Sequence, residues 1–352
     1  MSHPLDRRSL MRTAAAASAV AAGSGLGALS FPAAAATSRK AAPSHDDAVT
    51  IGREPYKVAV VTAAPVEFDL GAGVDKAVAL IQEAAEHGAR LVAFGELWLP
   101  GYPKAVNTDP NWPTTGLPAY AQQSLTVGGK EWRRLREAAR EHRITVEICY
   151  SERAGKHLFM GQALFGPDGV PLIVRRKIRP SGSERTVFSD DGLGRDIEVR
   201  TTPLGRIGAL SCWEHLHPEM TYNMLAQLEA VHIAAWPYNS PPGSAVQWWE
   251  DVDVALSAAR MYAINGSCYV LLPSAGYGAV LDPRGQFLVK SVSGKEDLLY
   301  AVVDPSTFTS KTADPEGETS YGVLRLLART YPGPRVSDPE HEHRNMITVP
   351  LS

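Results

Sequence analysis

The stretch Tyr56-Lys-Val-Ala-Val-Val-Thr62, followed by Val74 to His87 and then by Arg90 to Phe94, decides the fold class. The first run is apolar almost throughout, the pattern of a strand buried in a sheet core. In the second, apolar residues fall at 74, 77, 78, 81, 84 and 85, a spacing of three and four that lines one face of a helix. The third is again a short apolar run. Strand, helix, strand in this order is the unit of layered α/β structure.

Working outward, the same alternation continues. Lys130 to His142 predicts a helix, Ile144 to Tyr150 a strand, and Leu158 to Phe165 with Val170 to Arg176 a hairpin turned at Pro167-Asp-Gly169. Further strands are expected at Asp196 to Thr201, Arg206 to Ser211, Val231 to Trp236, Cys268 to Pro273, Gly278 to Leu281, Gln286 to Lys290 and Leu299 to Val303. Helices are expected at Pro218 to Leu228 and Ala245 to Ile264, and loops at Asn107 to Gln122 and Pro237 to Gln247. No internal repeat is visible. Hairpins mixed with strand-helix alternation imply helices covering mixed sheets.

The chain of 352 residues is 44% hydrophobic and 21% charged, enough to bury a core without disulfides or metals. Its net charge of -3, without blocks of like charge, gives no electrostatic basis for binding nucleic acid. The three cysteines, Cys149, Cys212 and Cys268, are odd in number and far apart, which excludes a disulfide scaffold and a CxxC metal site.

Residues 1–36 differ from the rest. Asp6-Arg7-Arg8-Ser9-Leu10-Met11-Arg12 precedes an uncharged, Ala-rich run that ends in Ala34-Ala35-Ala36, the pattern of a bacterial twin-arginine export signal. The run is long enough for a membrane anchor, but its Gly and Ser content disfavours a stable span. Residues 37–55 read as a flexible linker and 56–310 as the folded domain. The polar, Pro-containing tail 311–352 is expected to wrap the surface or meet another subunit.

Three segments after strand ends break the plain patterning. Glu96, in Phe94-Gly-Glu-Leu-Trp-Leu-Pro-Gly-Tyr-Pro103, is a carboxylate inside an apolar stretch, so it must be paired or have a raised pKa, and either suits a general base. Lys177 lies in a cationic cluster, Arg175 to Arg179, that leaves a hairpin strand. Cys212 ends a buried strand and precedes a helix, where helix-start N–H groups face bound negative charge. Each alone has a plainer reading: a salt-bridged loop glutamate, a solvated basic face, an inert buried thiol. Cys212, His215 and His217 also invite a metal reading, but no fourth ligand accompanies them.

Together the segments resemble the nitrilase superfamily of carbon-nitrogen hydrolases, in which Glu, Lys and Cys occur in this chain order. The spacing here is 81 residues from Glu96 to Lys177 and 35 from Lys177 to Cys212. Glu96-Leu-Trp-Leu-Pro-Gly-Tyr-Pro103, Arg176-Lys-Ile-Arg-Pro180, Cys212-Trp-Glu-His215 and Ala234-Ala-Trp-Pro237 are similar to the true nitrilase branch. Ser211 before the cysteine and Glu318-Thr-Ser-Tyr321 depart from the family pattern, and an export signal is unusual for it.

The resemblance implies a four-layer α-β-β-α sandwich and hydrolysis of a nitrile to a carboxylic acid and ammonia. Glu96 would be the base, Lys177 the stabiliser of the tetrahedral species and Cys212 the nucleophile, its thiolate made available by Lys177 and the helix start or by proton transfer to Glu96. Glu184 would match the second glutamate that orients Lys177, and the Trp213 N–H would be a further donor. Tyr102, Trp213 and Trp236 would line the pocket. No metal or organic cofactor is implied. The resemblance also implies a homo-oligomer, at least a dimer, for which the apolar faces of Pro218 to Leu228 (Met220, Met224, Leu225, Leu228) and Ala245 to Ile264 (Val246, Trp249, Val252, Val254, Ala258) would serve. An amidase or N-carbamoylase of the same superfamily, and a non-catalytic thiol redox or assembly protein, are the alternatives. Aliphatic, aromatic and arylacetonitrile substrates, and cyanide itself, are all compatible with the motifs.

Overall fold

The computed structural model describes residues 54–190, 197–244, 247–307 and 345–349. The expected export signal 1–36, nearly all of the linker, most of the tail, Asp196, Ala245, Val246 and the segment Glu318 to Tyr321 lie outside the described residues.

Twelve strands form two six-stranded sheets among the described residues. The first contains β1 (Tyr56–Val61), β2 (Ala89–Ala93), β3 (Thr145–Ala154), β4 (His157–Phe165) and β5 (Pro171–Arg176). The second contains β6 (Arg200–Thr202), β7 (Gly205–Ser211), β8 (Val231–Ala235), β9 (Tyr269–Leu272), β10 (Ala279–Leu281) and β11 (Phe287–Lys290). β12 (Leu298–Val303) returns to the first, giving the orders β12-β1-β2-β3-β4-β5 and β11-β10-β9-β8-β7-β6. In each sheet three central strands are parallel, β1-β2-β3 and β7-β8-β9, and the flanking ones antiparallel.

Period-two alternation explains the layering. From β1, Val58 and Val60 point between the sheets and join Leu91, Ile207, Ile233, Leu271 and Val280, whereas Ala59 and Val61 point outward. The outer face of the first sheet is covered by α1 (Leu70–Glu86) and by α4 (Lys130–His142), which presents Trp132, Leu135 and Ala139. Between them in sequence lie two short helices, α2 (Trp112–Thr115) and α3 (Leu117–Gln122). The second sheet is covered by α5 (Pro218–Leu225) and α6 (Val252–Gly266), with Met224, Ala255, Ala259 and Tyr262 in its outer core. The resulting α-β-β-α stack is the architecture expected from the sequence.

Several boundaries differ, each for a local reason. α1 begins at Leu70 rather than Val74 because Asp69 caps it, accepting from the Ala72 N–H at 2.9 Å. Gly73 belongs in that helix because a Cβ there would come within 2.9 Å of Leu99. β3 runs past Tyr150, since the polar Ser151 and Glu152 are paired, with Ser124 and Arg176. The strand expected at Asp196 to Thr201 is confined to Arg200–Thr202 among the described residues. α5 ends at Leu225 rather than Leu228, where Leu228 takes a positive φ of 59°. The helix expected from Ala245 begins only at Val252: Asp251 caps it, and Trp248–Glu250 form a separate 3₁₀ turn. Trp249 therefore does not lie on that helix. Met224, expected on a face free for a subunit contact, is fully enclosed against the second sheet.

Candidate active site

Four strand ends of the two sheets converge. Glu96 follows β2, and its N–H donates to the Trp236 carbonyl, just past β8, at 3.0 Å. The residue before it must be glycine, because a Cβ on Gly95 would lie 2.5 Å from that carbonyl oxygen. Here the loops of the two sheets touch backbone to backbone.

Lys177 follows β5 and its side chain is buried. Its Nζ lies 3.0 Å from Glu96 Oε2 and 2.9 Å from Glu184 Oε2. Glu184 sits in the 3₁₀ turn Gly182–Thr186, capped through Ser181, whose N–H donates to Glu184 Oε2 at 2.7 Å. The Tyr102 hydroxyl donates to its other oxygen at 3.0 Å.

Cys212 follows β7 and opens the 3₁₀ turn Cys212–Leu216 with φ of +43°. A side-chain-bearing residue in this left-handed region is strained by roughly 1–3 kcal/mol, held there by its surroundings. Glu214 caps the turn by accepting from the Ser211 N–H at 2.9 Å, and His215 Nδ1 lies 2.7 Å from the Cys212 carbonyl. His215 Nε2 in turn meets His232 at 2.8 Å, so both of its ring nitrogens are engaged within the protein.

Burial and the neighbouring charges set the protonation states. Burial raises Glu96 to about 8; Lys177 opposes that rise and Glu184 adds to it. Burial alone would lower Lys177, but the Glu184 and Glu96 carboxyls outweigh it and hold the amine charged. Burial, with Glu96, pushes the Cys212 thiol well above its ordinary range, against the pull of Lys177 and of the Trp213 N–H. Of the two routes to a thiolate left open by the sequence, proton transfer to Glu96 is the one these shifts favour. A resting thiol within electrostatic range of a carboxyl raised to about 8 calls for a base, and Glu96 is the carboxyl placed to be one.

Glu96, Lys177, Glu184, Cys212 and Tyr102 thus lie within mutual electrostatic range. Trp213 packs edge-on against Trp248, ring centroids 5.9 Å apart. The Trp236 ring is buried in the core of the second sheet, stacked on His215 at 6.3 Å, and its backbone carbonyl is what meets Glu96. Two neighbours were not picked out from sequence. Tyr238 packs on Tyr102 at 5.5 Å and lies within electrostatic range of Cys212; Asn107 donates to the Tyr102 hydroxyl at 3.3 Å. Tyr238 stands two positions after Trp236 at a strand end, a signal that was available; Asn107 sits in a segment without one.

The profile of the carbon-nitrogen hydrolase family matches residues 57–312. A nitrilase from Pseudomonas syringae pv. syringae is 38% identical over 315 residues, covering 81% of this chain and 93% of that protein. An aliphatic nitrilase from Rhodococcus rhodochrous is 37% identical over 296 residues, covering 75% of this chain and 80% of that protein. Among solved structures, an amidase from Nesterenkonia sp. superposes with a TM-score of 0.61 at 17% identity, over 79% of this chain and 96% of that one, a likeness of fold.

Proposed function

The chain belongs to the carbon-nitrogen hydrolase family, and from that premise we propose that it is a nitrilase, converting an organic nitrile and two waters to a carboxylic acid and ammonia. The observation that carries the reading is the buried Lys177 ammonium, within 3.0 Å of Glu96 and 2.9 Å of Glu184, beside a strained, enclosed Cys212. Identity of 37–38% to proteins named nitrilases, over three-quarters or more of the chain, favours a nitrile over an amide.

In this mechanism Cys212 Sγ attacks the nitrile carbon as Glu96 takes the thiol proton. That proton passes to the nitrogen, giving a thioimidate. Water, deprotonated by Glu96, adds to the carbon while that proton goes to the nitrogen, giving an amino alcohol; Glu96 then moves the hydroxyl proton to the nitrogen, which leaves as ammonia as the thioester carbonyl forms. A second water releases the acid from the thioester and restores the thiol. Lys177, held between two carboxyls, faces the negative charge that develops on the tetrahedral species, a contribution of about 3 kcal/mol for an oxyanion-type donor. Glu184 orients Lys177, and Tyr102 and Trp213 are assigned to the pocket wall, whereas the buried Trp236 contributes its backbone carbonyl to the Glu96 loop.

An ammonia assay across aliphatic, aromatic and arylacetonitrile substrates, run beside the matching amides, tests the reading. Ammonia from nitriles with the acid as product is expected. Ammonia from the amides alone would make the protein an amidase, and none from either set, with Cys212 still alkylated by iodoacetamide, a non-catalytic thiol protein.

Residues 1–36 are proposed to export the chain by the twin-arginine route, to the periplasm or beyond, which suits an enzyme that folds around a reduced thiol. Replacing Arg7 and Arg8 with Lys is expected to retain the precursor in the cytoplasm, and equal export of that variant would reject the route. The folded chain is proposed to be at least a dimer, with the outer faces of α5 and α6 as contacts; α6 exposes Met261 at 63% and Ile264 at 49%. An active monomer by light scattering would reject this.

A further inference from the structure

A chain of buried polar groups, none of them a reacting group in the mechanism above, ties together the three elements that deliver Glu96, Lys177 and Cys212. The Phe94 N–H, two positions before Glu96, donates to Glu147 Oε2 at 3.1 Å. Gln162 Nε2 donates to Glu147 Oε1 at 3.0 Å. Arg175, two positions before Lys177, donates from Nη1 to Gln162 Oε1 at 2.8 Å and from Nη2 to Glu214 Oε1 at 2.7 Å. Glu214, two positions after Cys212, also accepts from the Ile178 N–H at 3.0 Å and, as the cap of the Cys212 turn, from the Ser211 N–H. The chain therefore starts beside the base, passes the strand that ends at the ammonium and finishes under the nucleophile, crossing from the first sheet to the second.

Its four side chains, Glu147, Gln162, Arg175 and Glu214, are no more than 2% exposed. Burial would raise the Glu214 carboxyl, but Arg175 and the two backbone donors hold it below the usual carboxylate range, so the pair is ionic. A buried ion pair is a poor device for stability alone, since well-packed apolar residues often do as well, whereas a planar guanidinium gripping two acceptors fixes geometry. The grip falls on the residues flanking the proposed reacting groups, at a site where small misplacement is costly.

We infer that the Arg175–Glu214 pair, backed by Gln162 and Glu147, positions the Lys177 ammonium against the Cys212 turn, and that these are positioning residues for the reaction. This rests on the reading of Glu96, Lys177 and Cys212 as the reacting groups, which a Cys212→Ala variant tests separately.

The experiment compares the wild type with the double variant Arg175→Met/Glu214→Gln, which removes both charges of the pair together. With a nitrile that the wild type hydrolyses, kcat is expected to fall at least tenfold while KM stays within about twofold. The pH profile of Cys212 alkylation by iodoacetamide should shift upward, a readout that loss of stability alone would not move. Arg175→Lys, which keeps the charge but not the two-pronged grip, should recover only part of kcat. Should the double variant fail to fold, Gln162→Met cuts the same chain without touching a charge and carries the same expectation. A folded variant with wild-type kcat and an unshifted alkylation profile would overturn the inference.

Discussion

Cys212→Ala is expected to lower nitrile turnover by at least about 10⁵-fold, the scale of losing a covalent nucleophile, with the fold unchanged. The side chain is small and its loss leaves little cavity, so the effect is one of chemistry. Backbone conformation supplies a control. At φ of +43° a Cβ is a burden, so Cys212→Gly should be as inactive as Cys212→Ala yet more stable by about 1 kcal/mol. Cys268, enclosed in the core of the second sheet where the charge it meets is that of Glu229, should tolerate alanine at about 1 kcal/mol of stability with activity retained. Wild-type turnover in Cys212→Ala would end the assignment of the nucleophile.

Glu96→Gln is the second large effect. It keeps the shape of the side chain and removes the base, so kcat should fall by about 10² to 10⁴, and Lys177→Ala should lose a comparable amount. Glu184→Gln should lose less if its task is orientation. The pH profile gives the assignment its signature. Glu96, raised to about 8 by burial, must be ionised to take the Cys212 proton. Below that value it is protonated, so wild-type kcat/KM should climb about tenfold per pH unit and level off above about 8. In Glu96→Gln that limb should vanish. A limb that persists at the same pH would assign the titration to another group.

Strand ends, chain order and residue type marked Glu96, Lys177 and Cys212 in the sequence, the family resemblance added Glu184, and the fold brings the four side chains together. What was not legible depends on partners far along the chain. Gln162, Arg175 and Glu147 sit in strands where polar residues suggest a solvent face, and only the strand packed beside them shows that they are paired inside. Pro113 and Pro118 look like loop residues, yet each stands in the first turn of a short helix, where a missing N–H costs nothing. The apolar run through Trp248 and Trp249 extended the α6 pattern too far, since the Asp251 cap that interrupts it carries less weight in a periodicity count than two tryptophans. Met224 looked available for a partner because a helix face alone does not say what it covers.

The contact of Gly95 with the Trp236 carbonyl makes the two sheets jaws of one vice, with Glu96 and Lys177 on one jaw and Cys212 on the other. The opening of that vice is set by the side chains between the sheets, Val58, Leu91, Ile207, Ile233 and Leu271 among them. Protein interiors are packed too tightly for one methylene to be absorbed without movement. Substitutions in this hidden layer, touching neither substrate nor reacting group, therefore act as a screw thread on the separation of proton donor and acceptor. Rate and selectivity become adjustable from the middle of the molecule, and two relatives with identical pockets can work at different speeds because of residues that no substrate ever meets.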